Sequence, residues 1–246
     1  MASPRIAAVI PARFASTRFP GKPLADRTGR PLIQHVIEQA RTCPSLSRII
    51  VATDHDGIAA AARACGAEVA MTRADHPNGT SRIAEVAQGL DADVVVNIQG
   101  DEPQLEPELI ERTVAALLSD TGAPMATLVS PFAPSEDPHN PNVVKCVVGV
   151  NRRALYFSRS LVPFVRSEPA VAPWKHVGLY VYRREFLPVF VSLPPSPLET
   201  CESLEQLRAL EHGHAIAVAF GTTAFQGIDT PEQYEAFVAH WRATHG

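Results

Sequence analysis

The stretch Arg5-Ile-Ala-Ala-Val-Ile10 runs directly into Pro11-Ala-Arg-Phe-Ala-Ser-Thr-Arg-Phe-Pro-Gly-Lys-Pro-Leu24, and this junction decides the reading of the fold. A short apolar run rich in Ile and Val, bounded by Pro, reads as a buried parallel strand. Arg48–Thr53 and Asp93–Ile98 repeat the signal. Between them, Leu32, Ile33, Val36, Ile37 and Ala40 fall at helical spacing behind Pro31, which suits a first helical position. The Ala-rich segment 56–65 stops at Gly66, and Ser81–Gly89 and Pro107–Leu118 continue the alternation. Strand, helix, strand, helix implies right-handed crossovers and a Rossmann-like, mostly parallel α/β sheet with flanking helices.

After about residue 124 the rhythm changes. Val143–Val150, Ala154–Ser158 and Val177–Tyr182 read as strands without long helices between them, which predicts an antiparallel β-rich insertion. Leu193-Pro-Pro-Ser-Pro-Leu198 reads as a rigid loop, Glu199–Glu211 as a helix, His214–Phe220 as a strand and Pro231–Arg242 as a closing helix. No repeat or flexible linker interrupts the 246 residues, so a single domain is expected.

A net charge of −4 with 20% charged residues excludes a basic nucleic-acid coat protein and a polybasic membrane binder. No window approaches the roughly 18 apolar residues of a membrane span. Ile6–Ile10 is too short for a signal peptide, so a cytoplasmic protein is expected. Cys43, Cys65, Cys146 and Cys201 show no C-x-x-C pairing and read as reduced structural thiols.

The segment after the first strand lies where open α/β sheets place ligands, beyond the strand carboxyl ends. It carries Arg13, Arg18 and Lys22 within ten residues, with Ser16, Thr17 and Gly21 as hydrogen-bonding or permissive positions. Arginine binds phosphate bidentately and lysine as a point charge, so the set suits a triphosphate. A solvated basic loop is the alternative. The segment is neither a Walker A loop nor G-x-G-x-x-G, because Ser16 and Pro23 stand where glycine and Ser/Thr are required. A second constellation, Val96-Asn-Ile-Gln-Gly-Asp-Glu-Pro103, ends a strand on Asp101 at the same sheet edge. Such a carboxylate can hold Mg²⁺, or cap a turn before Pro103. Asp229 in Gly227-Ile-Asp-Thr-Pro231 is a partner carboxylate or the cap of the closing helix.

Taken together, the basic loop, Asn97–Pro103, Met71-Thr-Arg-Ala-Asp-His76, Gly79-Thr-Ser-Arg82, Asn140-Pro-Asn-Val-Val-Lys145, Tyr156-Phe-Ser-Arg159, Leu204-Glu-Gln-Leu-Arg208 and Asp229-Thr-Pro-Glu232 resemble the 3-deoxy-manno-octulosonate (Kdo) cytidylyltransferases. The match runs in order from about residue 6 to residue 240. The resemblance implies a fold of the nucleotide-diphospho-sugar transferase type. In it, residues 1–125 would be the nucleotide-binding half, 126–225 a sugar-binding and dimerisation part, and 226–246 the closing metal motif and helix. It implies transfer of CMP from CTP to Kdo with Mg²⁺ as cofactor, for lipopolysaccharide biosynthesis, by a homodimer. By the same resemblance Arg13, Arg18 and Lys22 hold the nucleotide phosphates, Pro11 and Ala12 also bind the nucleotide, and Thr80, Ser81 and Arg82 lie near base and ribose. Asp101 and Asp229 bind the metal, with Arg13, Lys22 and Asp101 closest to the chemistry. Gln99, Arg159, His176, Tyr180 and Glu205 grip the sugar acid. Read without the resemblance, His176 and Tyr180 are a half-buried pair on one strand face, Arg159 an ordinary surface residue and Glu205 a solvated helix residue.

Two rivals follow. One is a CMP-sialic acid synthetase, with the same nucleotide half and another acidic sugar; the other is a non-catalytic nucleotide-sugar binding module. The set Arg159, His176 and Tyr180 favours Kdo, and the presence of both Asp101 and Asp229 disfavours a module that only binds. Two stretches depart from the family pattern: the proline-bearing segment between Arg159 and His176 (Pro163, Pro169, Pro173), and the lead-in Gly221–Gly227.

Overall fold

The computed structural model describes residues 3–15, 18–168, 171–223 and 227–245. Ser16 and Thr17 of the basic loop, Pro169, and residues 224–226 of the lead-in to Asp229 lie outside the described residues. The chain divides into two compact units, one of Met1–Pro107 with Phe225–Gly246 and the other of Glu108–Ala224.

In the first unit β1 (Ile6–Ala12), β2 (Leu46–Thr53), β3 (Glu68–Met71) and β4 (Val94–Asn97) pair in parallel in the order β3-β2-β1-β4. Helices α1 (Leu32–Arg41), α2 (Asp56–Ala64) and α3 (Gly79–Gln88) follow the first three strands, as the alternation predicts. The reason is visible in burial: Ala7, Ala8, Val9 and Ile10 of β1 and Val95 and Val96 of β4 are wholly excluded from water, as strands covered on both faces must be. Pro31 sits one position earlier than expected, as the extended N-cap of α1, whose first residue is Leu32. Asn78 caps α3 by accepting from the Ser81 amide. The closing helix of this unit (Pro231–His245) packs Tyr234, Phe237 and Val238 against Leu32 and Ile228.

In the second unit α4 (Pro107–Ser119) precedes β5 (Met125–Pro131), which pairs antiparallel with β8 (Trp174–Arg183) and parallel with β9 (Ile216–Phe220). β6 (Lys145–Val148) and β7 (Ala154–Ser158) form an antiparallel pair, and β6 also pairs with β8. The predicted antiparallel insertion is therefore present. The pairing of β5 with β8 slips: Thr127 faces Tyr180 while the next residue, Leu128, faces Val177. Gly178 and Leu179 are left over, a bulge that shortens the reach of β8.

One expectation needs correction, and two elements carried no expectation. Glu199–Glu211 is not one helix but two, α6 (Pro197–Glu202) and α7 (Gln206–Glu211). Ser203 breaks the run in a left-handed conformation, φ 51°, and the Leu204 amide turns back to Glu199 O. Phe186–Ser192 forms a helix, α5, despite Pro188, because that proline falls in the first turn where its missing N–H has no intrahelical partner. The four-residue β3, with no residue fully buried, lacks the apolar run that marked the other strands. No helix of the described residues is long and apolar enough to cross a membrane. All four cysteines are free thiols, and burial pushes Cys146 up to about 12.

Candidate active site

β1 delivers its chain at Pro11 and Ala12 into the basic loop. Gly21 closes that loop: its amide donates to Phe14 O at 3.0 Å, with φ at +70°, a left-handed conformation that any side chain resists. Phe14 stacks flat on His55, ring centroids 4.3 Å apart. His55 in turn caps α2 by accepting from the Gly57 amide. One helical turn, Lys22–Leu24, then aims Lys22 inward.

β4 ends at Asn97, and the chain turns at Gly100 to present Asp101. A Cβ on Gly100 would stand 3.0 Å from Pro11 O, so a side chain here would press this turn away from β1. The third strand of chain reaching the place is Ile228–Asp229, tied by the Ile228 amide to Asp101 O at 2.9 Å. Lys22 Nζ donates to Asp101 Oδ2 and to Ile228 O, both at 2.6 Å, and lies 3.7 Å from Asp229 Oδ1. Arg18 pairs with Asp229 at 3.1 Å.

These groups line a cavity of about 350 Å³, within the range of small-ligand sites. Pro11, Ala12, Arg13, Arg18, Lys22, Arg82, Gln99, Asp101 and Asp229, drawn from four separate motifs, all border it. Buried Arg82 is braced by Thr72 and by Asp54 at 3.3 Å. Thr80 and Ser81 are not on its lining: Thr80 is buried, and Ser81 is engaged with Asn78 through its amide and its hydroxyl. Gln99, expected on the sugar, borders this cavity and donates to Asn97 Oδ1 at 3.0 Å.

Sequence reasoning gave no role to His76, Asn78 or Gly79, which also line the cavity. Asn78 had a signal, the capping position before a helical run. His76, bonded to Glu85, had none beyond its place in a family motif. Glu102 was missed as well. It is buried beside Asp101 with one oxygen unpartnered; burial, then the Asp101 charge, pushes its carboxyl up to about 8.

The donor set fits a hard divalent cation. Two carboxylates meet at a point now neutralised by the Lys22 ammonium, and among the described residues no group of three or more His, Cys, Asp and Glu could hold a metal. Mg²⁺ takes one or two protein carboxylates and completes its shell with water and phosphate oxygens.

The other sugar-site candidates belong to the second unit. His176 and Tyr180 ring centroids lie 5.5 Å apart. Four residues of regular strand span about 13 Å, so the bulge at Gly178 and Leu179 is what lets them meet. Burial, then Tyr182 and Glu205, pushes the Tyr180 phenol well above its usual range; burial holds His176 down at about 3. Arg159 is no free surface residue. Its guanidinium donates to the carbonyls of Glu202, Pro141 and Ser203, and its amide to Glu202 Oε2 at 2.9 Å. Lys145 is wholly buried, with Nζ donating to the carbonyls of Asn140, Val143 and Arg159. Two motifs noticed separately in the sequence, Asn140–Lys145 and Tyr156–Arg159, thus form one scaffold with the end of α6.

Residues 7–216 match the family model described as cytidylyltransferase. The 3-deoxy-manno-octulosonate cytidylyltransferase of Syntrophobacter fumaroxidans is 53% identical over 239 residues, covering 95% of this chain and 96% of that one. The chain belongs to the 3-deoxy-manno-octulosonate cytidylyltransferase family. The member from Geobacter sulfurreducens is 48% identical over 94% of this chain and 96% of its own. A solved CMP:2-keto-3-deoxy-manno-octonic acid synthetase, complexed with CTP, matches at TM-score 0.93 and 40% identity, covering 98% of this chain and 99% of that one. The 4-diphosphocytidyl-2C-methyl-D-erythritol synthase of Anaerococcus prevotii, 13% identical at TM-score 0.65, shares the fold. Membership in the 3-deoxy-manno-octulosonate cytidylyltransferase family agrees with the resemblance seen in the sequence.

Proposed function

We propose that this protein transfers CMP from CTP to Kdo, releasing diphosphate and forming CMP-Kdo for lipopolysaccharide assembly. The observation that carries the reading is near full-length identity of 53% to an enzyme named for this reaction. The cationic cavity built from the family's own motifs supports it.

Arg13, Arg18 and Lys22 bind the triphosphate, and Arg82 borders the nucleoside end. Asp101 and Asp229 would hold Mg²⁺, which when bound supplies charge neutralisation along the phosphates and at the departing diphosphate. The anomeric oxygen of the sugar forms a bond to the α-phosphorus in line as the bond to the diphosphate oxygen breaks, and the hydroxyl proton passes to solvent water. Positioning and preorganised positive charge supply most of the rate, so no protein nucleophile is needed. Gln99, Arg159, His176, Tyr180 and Glu205 bind the sugar acid. The resemblance supports a homodimer working in the cytoplasm.

The test is diphosphate release from CTP, Mg²⁺ and Kdo, run beside sialic acid and beside the other nucleoside triphosphates. Turnover is expected with CTP and Kdo. No turnover with Kdo, or faster turnover with sialic acid, overturns the reading.

A further inference from the structure

Thr127 lies on β5, opposite the bulge in β8, and is completely shielded from water. Its hydroxyl oxygen has three neighbours: Leu179 O at 2.9 Å, Val177 O at 3.4 Å and His176 Nε2 at 2.9 Å. A hydroxyl has one proton and two lone pairs. Carbonyl oxygens only accept, so the proton must point to a carbonyl; otherwise two oxygen lone pairs would face each other at 2.9 Å, out of reach of water. The oxygen is left to accept, and the ring nitrogen facing it must then donate.

We infer that Thr127 is a positioning residue that fixes His176 as the Nε2–H tautomer and thereby turns Nδ1 into a hydrogen-bond acceptor for a hydroxyl of the sugar substrate. The ring cannot swivel out of this arrangement easily: Phe157 meets it edge-on at 4.9 Å and Tyr180 flanks it at 5.5 Å. Nδ1 has no hydrogen-bond partner among the described residues. His176 stays neutral at working pH because burial holds it at about 3. A neutral acceptor repels a carboxylate and welcomes an O–H donor, so His176 selects for the hydroxylated part of the acid sugar and leaves its carboxylate to a cation such as Arg159. The chemical significance of the bulge follows: it supplies the Leu179 carbonyl that takes the Thr127 proton, and so sets the polarity of the neighbouring ring.

The inference rests on the reading of His176 as a sugar contact, and the experiment separates the two. Long-range ¹H–¹⁵N correlation spectra of the ¹⁵N-labelled full chain, with the His176 signals assigned by their loss in His176→Phe, are expected to show Nε2 protonated and Nδ1 bare. A wild-type ring protonated at Nδ1 overturns the inference whatever the kinetics show. Thr127→Val is expected to mix the tautomers and raise the KM for Kdo about tenfold, with the KM for CTP unchanged, while Thr127→Ser restores both. Unaltered tautomer and unaltered KM for Kdo in Thr127→Val overturn the positioning role, and the wild-type spectrum decides should that variant not fold. A His176→Phe variant with wild-type KM for Kdo instead removes His176 from the sugar site, a failure of the underlying reading that the wild-type tautomer does not share.

Discussion

The ammonium of Lys22 lies 2.6 Å from Asp101 and 3.7 Å from Asp229, holding in one place two carboxylates separated by more than 120 residues of chain. Two anions facing the proposed triphosphate site would repel such a substrate unless a cation stood between them and it. Asp101 is the less exposed of the two and the nearer to Lys22. Asp101→Asn keeps the shape and removes the charge. Turnover in the diphosphate-release assay is expected to fall by roughly two or more orders of magnitude, with the thermal midpoint near wild type. Near wild-type turnover would refute its role as metal ligand.

Gly21 offers a test of the loop that precedes Lys22. Its φ of +70° costs an L-residue about 1–2 kcal/mol, and an added Cβ would press on the Phe14 ring at 3.2 Å. Gly21→Ala is expected to loosen the Phe14–His55 stack and displace Lys22. The KM for CTP should rise while that for Kdo holds, and denaturant unfolding should show a loss of that size. A rise confined to Kdo would mean that the loop does not serve the nucleotide.

Glu202 makes a corresponding test in the second unit. Its two oxygens accept from Ser158 Oγ at 2.7 Å and from the Arg159 amide at 2.9 Å, and its own carbonyl accepts from the Arg159 side chain. Glu202→Gln keeps the volume but swaps an acceptor for a donor, an expected loss of about 1–3 kcal/mol in stability. Because Arg159 hangs on this frame, the KM for Kdo should rise more than that for CTP. Equal effects on both substrates would reduce Glu202 to a structural brace.

Much of this was legible in the residues alone, and what was not has a common cause. β1 and β4 of the first unit announce themselves because they are buried on both faces, whereas the half-exposed β3 does not, and Arg13, Arg18, Lys22 and Asp101 lie beyond the strand ends, where α/β folds bind ligands. Pattern failed where long-range pairing decides local conformation. The β8 bulge exists because β5 pairs with both halves of the strand out of step, and no periodicity within Trp174–Arg183 encodes that slip. Thr127 therefore gave no signal. Ser203 reads as an ordinary helix residue until its carbonyl is seen taking the Arg159 guanidinium. Arg159 itself passed for a surface residue because its partners are backbone carbonyls, which carry no sequence signature.

His35 links the core of the first unit to pH. The ring is buried between Phe237 and Trp241, at 5.1 and 4.4 Å, and bonds to Thr28 at 2.7 Å. Burial, opposed by Glu38 and aided by Arg30, lowers it from 6.5 to about 4. The unfolded chain therefore binds this proton more readily than the folded one. Above about pH 6.5 both states are neutral and the residue contributes no pH dependence. As pH falls from 6.5 towards 4 the unfolded state gains the proton first, and stability is lost, by about 3 kcal/mol over that window. Urea midpoints at pH 7.5 and pH 4.5 should differ by less in His35→Leu than in wild type, even where the variant is weaker at pH 7.5. His176, lowered in the same sense, keeps part of the slope in that variant. An identical slope in both proteins would show that His35 takes up its proton equally in the folded and unfolded states and that its burial does not govern its charge.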